Sequence, residues 1–176
     1  MKYCINFLSY WHCGSGLSGG AATDATVIKD SNNLPFVPGK TMKGLVRESV
    51  EELAKYDNNI DCELLLNGLG EESSCAGTMF FSNAELSSSD KDRIVSEHLS
   101  AYLYDNFNTT RIDSDGVADN QSLNSYEVVV PCRLYGKIDD IPEGLETPIK
   151  NSLKMIKRLG FKRNRGLGRC EILIEE

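Results

Sequence analysis

The chain has 176 residues, 19 of them basic and 26 acidic, for a formal net charge of -7; this length suits one domain that buries about 70% of its unfolded surface. No apolar run approaches the ~20 residues of a membrane span, and Met1 to Ser9 lack the long apolar stretch of a secretory signal, so the expectation is a cytoplasmic protein with no membrane contact. Its six cysteines (4, 13, 62, 75, 132 and 170) are then expected to be reduced, and the absence of any Cys-x-x-Cys pair argues against zinc.

Residues 2–9 alternate as a strand, with Tyr3, Ile5 and Phe7 on one face. Residues 10–23, rich in Gly, Ser and Ala, read as a loop, and 25–29 as a short strand. Asp30-Ser31-Asn32-Asn33 is turn chemistry. A helix is expected from near Thr41, with Met42, Leu45, Val46, Val50, Leu53 and Ala54 on its apolar face, ending near Asn58-Asn59. Gly77 to Ser82 reads as a buried strand. Ser89 is placed as the cap of a helix over about 90–105, with Ile94, Val95, Leu99, Tyr102 and Leu103 as its stripe. Residues 113–124 form an exposed loop. Residues 126–138 read as one long strand in which Pro131 marks a bulge or an edge. Thr147-Pro148 starts a helix that carries Ile149, Leu153 and Ile156 inward and ends at Gly160; 169–175 is the last strand. Strand, helix, strand, strand, helix, strand is the ferredoxin-like order, a common α+β fold that does not by itself specify a function.

Several motifs read as something other than what they first suggest. Gly39-Lys40-Thr41 at a helix start invites a P-loop, but the position that needs the first glycine is Leu34. Asp113-Ser114-Asp115-Gly116 lacks the ligand spacing of a calcium loop and reads as a turn. Of the two histidines, His98 sits near an apolar stripe and reads as structural, whereas His12 lies in the glycine-rich loop and reads either as an ordinary loop residue or as a polar aromatic that touches a ligand. Asp24 reads either as a strand cap or as a carboxylate presented by that loop. Between Lys150 and Arg169 lie eight basic residues and no acidic one. Interleaved glycines let a backbone approach a phosphate closely, with Lys and Arg supplying charge; the alternative is a solvated helix end followed by a turn.

Four segments, in order, resemble the RAMP superfamily, most closely the backbone subunits of type III CRISPR effector complexes of the Csm and Cmr kinds. Asp24 to Arg47, with its Pro35-Phe36-Val37-Pro38-Gly39 turn and the helix bearing Lys43-Gly44 and Arg47, is similar to the superfamily's N-terminal signature. Gly77 to Leu86 resembles its central strand, and Thr110 to Leu123 with Tyr126-Glu127 the stretch before its third strand. Leu159-Gly160-Phe161-Lys162-Arg163-Asn164-Arg165-Gly166-Leu167-Gly168-Arg169 resembles its glycine-rich loop. The resemblance implies a single ferredoxin-like (RRM-related) domain over 1–176, with a β-α-β-β-α-β core and insertions that include the helix near 90–105. It implies CRISPR guide RNA and target RNA as ligands, with copies of the chain and other RAMP subunits as partners. The implied RNA-binding residues are His12, Lys40, Lys43, Arg47, Lys162, Arg163, Arg165, Gly166, Gly168 and Arg169. Asp24 matches the residue that, in type III members, cleaves target RNA with magnesium or another divalent cation. Two other functions fit the same superfamily: a nuclease that processes the guide precursor with a general base such as His12, and a non-catalytic assembly or capping subunit. The chain is short for a backbone subunit, which implies reduced insertions.

Overall fold

The computed structural model describes residues 1–20, 23–56, 62–70, 77–119 and 122–175. Its elements are β1 (Lys2–Phe7), α1 (Gly39–Ala54), α2 (Cys62–Leu69), β2 (Phe80–Phe81), α3 (Ser88–Ser96), β3 (Tyr104–Thr109), β4 (Asn124–Val129), β5 (Arg133–Asp139), α4 (Glu146–Met155) and β6 (Cys170–Glu175). Four strands form one antiparallel sheet in the order β2-β5-β1-β6. With α1 between β1 and β2 and α4 between β5 and β6, this is the ferredoxin-like arrangement expected of the sequence. The first and last predicted strands lie side by side, Lys2 opposite Glu175 and Phe7 opposite Cys170.

Alternation sets the layers. Tyr3, Ile5 and Phe7 of β1, Leu134 and Ile138 of β5, and Ile172 of β6 are buried. They pack with Met42, Val46 and Val50 of α1 and with Ile149 and Leu153 of α4 in one core. Each fully buried aliphatic side chain contributes about 1.5–3 kcal/mol by leaving water, so these helix stripes hold the domain closed. Trp11 extends the core by stacking on Phe7, their rings 4.4 Å apart and 7° from parallel. Gly39 opens α1 because the helix starts against β2: a Cβ there would lie 2.0 Å from the Phe81 carbonyl oxygen. Helix packing thus accounts for that glycine without a phosphate.

The structure departs from the sequence expectations in several places. The buried strand expected over Gly77 to Ser82 is only the two-residue β2, with Phe80 59% exposed, and α2 has no counterpart in the sequence pattern. The helix expected over 90–105 is α3 alone, capped by Ser87, whose Oγ accepts from the Asp90 N–H at 3.1 Å; Ser89 is not its cap. His98, at φ +56, ends that helical run. A short 3-10 turn follows at Ser100–Leu103, and Tyr104–Thr109 is then drawn into β3 by pairing with β4. Val95 and Tyr102, assigned to an apolar stripe, are 40% and 78% exposed. The long strand at 126–138 is two strands separated at Pro131-Cys132: β4 joins a two-stranded sheet with β3 and β5 joins the main sheet. Residues 25–29 form no strand. They make isolated bridges, Ala25 to Tyr126 of β4, Val27 to Gly14 and Lys29 to Pro35, and are held by the Glu127 carboxylate, which accepts from the Val27 N–H at 2.9 Å and pairs with Lys29 at 2.7 Å. Finally, α4 begins at Glu146, with Leu145 in the N-cap position, and ends at Met155. Pro148 lies within its first turn, where backbone N–H groups have no intrahelical partner to lose. Helix α1 ends at Ala54, with Lys55 as its C-cap, ahead of the expected end at Asn58-Asn59; those two asparagines and Cys75 lie outside the described residues.

Candidate nucleic-acid interface

The segment between α4 and β6 folds back on itself and is clasped by the chain that follows β1. The Leu159 N–H donates to the Gly168 carbonyl at 2.9 Å, the Gly168 N–H to Tyr10 at 2.7 Å, and the Phe161 N–H to His12 at 2.9 Å. Two glycines make this possible. Gly160 has φ +99 and Gly168 φ +69, and a Cβ would sit 2.3 Å from the His12 carbonyl oxygen in one case and 1.9 Å from that of Leu159 in the other. Both positions need a left-handed backbone and room for a second strand of chain at van der Waals distance or closer. Leu159 and Leu167 anchor the loop by burial.

What the clasp presents outward is an aromatic and cationic cluster. Phe161 remains 44% exposed. Its ring lies 5.4 Å from that of His12 and 5.2 Å from that of Tyr126 of β4, tilted against both. Lys162, itself at φ +52, sets its ammonium 3.8 Å over the Tyr126 ring and donates to Thr109 Oγ1 at 2.9 Å. Such a cation–π contact contributes about 0.5–2 kcal/mol depending on desolvation. His12 is 2% exposed, and its Nδ1 lies 2.6 Å from the Glu127 carbonyl oxygen. A carbonyl only accepts, so Nδ1 bears a proton and directs it at Glu127. A cleft of about 600 Å³ opens here, walled by His12, Gly14, Leu17, Asp24 and Phe161 among others.

Asp24 stands exposed on this cleft and is tied to β4 at both ends. Its N–H donates to the Ser125 carbonyl at 2.8 Å, and its Oδ2 accepts from the Ser125 N–H at 2.7 Å. The carboxylate is therefore held in place with Oδ1 turned to no described donor. No group of three or more His, Cys, Asp or Glu able to hold a metal occurs among the described residues. A divalent cation fits here only as a one-carboxylate contact, with waters and phosphate oxygens supplying the remaining ligands.

The other sequence-selected residues are distributed over neighbouring surfaces. Lys43 and Arg47, one turn apart on α1, turn toward backbone: Lys43 Nζ donates to the Met79 carbonyl at 3.0 Å and Arg47 to that of Leu69 at 3.4 Å. Burial first, and then the Arg47 guanidinium, pull the Lys43 ammonium below its ordinary value. Arg163 is held by a forked pair to Glu48 of α1, at 3.3 and 3.2 Å. Gly166, Arg165 and Arg169 are exposed, and the two arginines enter no ion pair among the described residues. Lys40 lies apart from the loop. It borders a larger cleft of about 760 Å³ on the open side of the sheet, near the 59%-exposed Phe80 and Tyr135. Neither His12 nor the glycine-rich loop lines that cleft, so we place the candidate site at the clasp, where side chains and backbone converge. Sequence reasoning missed Phe161 and Tyr126 as site residues. The available signal was an aromatic embedded in a basic loop, the combination that stacks bases while neutralising phosphates.

The class defined by this fold and loop is a ferredoxin-like domain with a glycine-rich basic loop clasped by the chain after its first strand. The chain belongs to the RAMP superfamily, whose family model matches residues 4–171. It is similar in fold to a chain of the type III-B Cmr-beta complex bound to cognate target RNA, seen by cryo-electron microscopy, with TM-score 0.73 and 13% identity over 97% of this chain and 95% of that one. The apo state of the Cmr-beta complex gives TM-score 0.72 and 13% identity over 98% and 95%. The matched chains are thus of similar length, so the compactness of this chain has a counterpart in a solved complex. No curated protein matches the chain. No described helix is long and apolar enough to cross a membrane.

Proposed function

We propose that this chain is an RNA-binding subunit of a type III CRISPR ribonucleoprotein and that it holds single-stranded RNA at the clasp between the glycine-rich loop and the chain after β1. The observation that carries this reading is the exposed Phe161, fixed against His12 and Tyr126 beside Lys162, in a loop whose exposed arginines face solvent. A base stacks on the Phe161 ring, and the phosphates follow Arg165 and Arg169. Superfamily membership and the likeness to chains of Cmr-beta structures, one of which is of the complex bound to cognate target RNA, support RNA and other subunits as partners. Guide RNA is the ligand at the clasp, target RNA pairs with it, and copies of this chain or other RAMP subunits pack alongside. The test is fluorescence anisotropy with labelled single-stranded RNA: Phe161→Ala binds several-fold more weakly, and unchanged affinity removes the clasp from the RNA site.

A second reading concerns Asp24, favoured by its fixed, exposed carboxylate on the same cleft. A divalent cation, when bound there, would stabilise negative charge developing on a scissile phosphate. The chain's own part is to hold Asp24 rigidly through Ser125 while Phe161 retains the neighbouring base, which keeps a 2'-hydroxyl and its phosphate oriented. Comparison of wild type with Asp24→Asn in a guide-loaded complex decides it: equal binding with lost cleavage supports the reading, and equal cleavage removes it. Metal-independent cleavage lost with His12→Ala would instead identify a guide-precursor nuclease. RNA binding with no cleavage at all would identify a non-catalytic subunit.

A further inference from the structure

The main sheet ends on β6, and backbone alternation determines which of its groups face outward. The Arg169 carbonyl accepts from the Leu8 N–H on the β1 side, whereas the Cys170 N–H donates to the Lys157 carbonyl on the outer side, at 2.8 and 2.9 Å. Successive residues of an antiparallel ladder alternate in this way. Ile172 and Ile174 therefore turn their N–H and C=O groups to the outer edge, and no described hydrogen bond reaches them there. A groove of about 470 Å³ separates this edge from α4. Lys150 and Lys154 of α4, with Lys157 just beyond its end, line the groove; Glu171 is the sole acid among its lining residues. Lys154 and Lys157 enter no ion pair among the described residues, and Lys150 has only a loose one to Glu146 at 3.8 Å. Three cations are thus gathered beside an open strand edge in a chain of net charge -7.

We propose that β6 and α4 form a docking site for an extended acidic segment of a protein partner. The segment adds as a strand to Ile172 and Ile174, and its carboxylates meet Lys150, Lys154 and Lys157. A bare edge is a template for one more strand, with the main chain supplying affinity and the flanking side chains specificity. An RNA backbone suits the groove less well: its phosphates would engage the lysines but also meet Glu171, and it has only its 2'-hydroxyls to offer the Ile172 and Ile174 carbonyls, whereas a peptide strand supplies N–H donors and C=O acceptors in register. None of these residues belongs to the clasp, so the proposal stands or falls apart from the RNA-binding reading.

The probe is a fluorescein-labelled peptide of alternating glutamate and valine, titrated into the full chain and followed by anisotropy, with amide hydrogen exchange read by NMR. Saturable binding is expected, together with slowed exchange at the Ile172 and Ile174 amides. Lys154→Glu/Lys157→Glu, at two exposed positions, should weaken the peptide by at least about tenfold. A peptide with lysine in place of glutamate should not bind. Absence of saturable binding, or binding without protection of those two amides, overturns the proposal. So does oligouridine that binds the wild type, loses affinity in the same double variant and leaves both amides unprotected, since the groove is then an RNA site.

Discussion

Stacking and charge make separable contributions to RNA affinity, and the clasp allows them to be measured one at a time. Phe161 is uncharged, 44% exposed and fixed at 5.4 Å from His12 and 5.2 Å from Tyr126. If one base stacks on it, Phe161→Ala removes about 1–3 kcal/mol, a loss of roughly 5- to 150-fold in affinity. Because no phosphate contact is lost, the slope of log affinity against log salt should not change. Arg165→Ala and Arg169→Ala should behave in the opposite way. Each removes about one phosphate contact, so the slope should flatten by ~0.7 per substitution, and the affinity difference from wild type should shrink as salt rises. Arg163→Ala is the internal control. Its guanidinium is already committed to Glu48, so its effect on the slope should be smaller than that of Arg165→Ala. The assay is anisotropy with single-stranded RNA across a salt series, with a thermal melt of each variant to show that the fold survives. A Phe161→Ala protein that binds as wild type, or one whose salt slope changes as much as that of Arg165→Ala, refutes the stacking argument.

Other outcomes follow from the same geometry. Gly168→Ala should lower the urea midpoint by the equivalent of at least about 2 kcal/mol, because a Cβ would lie 1.9 Å from the Leu159 carbonyl oxygen at φ +69; Gly166→Ala, at φ +92 with open space around it, should cost only about 1 kcal/mol, and equal midpoints for the two variants would contradict this account of the loop. Burial pushes the Cys132 and Cys170 thiols up to about 11 from an ordinary 9.0. The unfolded chain then releases those protons first, so stability is intact below 9.0 and falls as pH rises toward 11; a Cys132→Ser/Cys170→Ser variant should lose stability less steeply over that range in urea titrations. The Tyr3 hydroxyl is buried without a hydrogen-bond partner among the described residues, so Tyr3→Phe should leave stability unchanged or raise it by up to ~1 kcal/mol; a clear drop in the thermal midpoint would reveal a partner for that hydroxyl.

The parts of the fold that were legible in the sequence are those set by local periodicity. Tyr3, Ile5 and Phe7 alternate, and Met42, Val46 and Val50 recur at helical spacing, so β1 and α1 follow from pattern alone. The stretch around 90–110 was misread because β3 is specified by its partner: Tyr104 to Thr109 becomes a strand through pairing with Val129 to Asn124, a contact invisible to any local window. Pro131 was correctly singled out, but a bulge and a complete break between two sheets look alike in sequence. The candidate cleft, as a meeting place of residues, was legible in outline. His12, Asp24 and the glycine-rich loop were selected from different parts of the chain, and the fold brings them to one cleft. Summed charge was the weaker guide. Eight basic residues between Lys150 and Arg169 suggested one patch; in the structure Arg163 is tied to Glu48, Lys162 is laid over Tyr126, and the lysines of α4 border a separate groove. Lys43 and Arg47 hold backbone carbonyls, a use that charge spacing on a helix does not reveal.

The central claim is that RNA lies at the clasp, and ultraviolet cross-linking of the RNA-bound chain followed by peptide mass spectrometry tests it most directly. The account predicts nucleotide adducts on Phe161 and Tyr126, with loss of the principal adduct in Phe161→Ala. Adducts confined to Phe80 and Tyr135, in the open-face cleft beside Lys40, would contradict it.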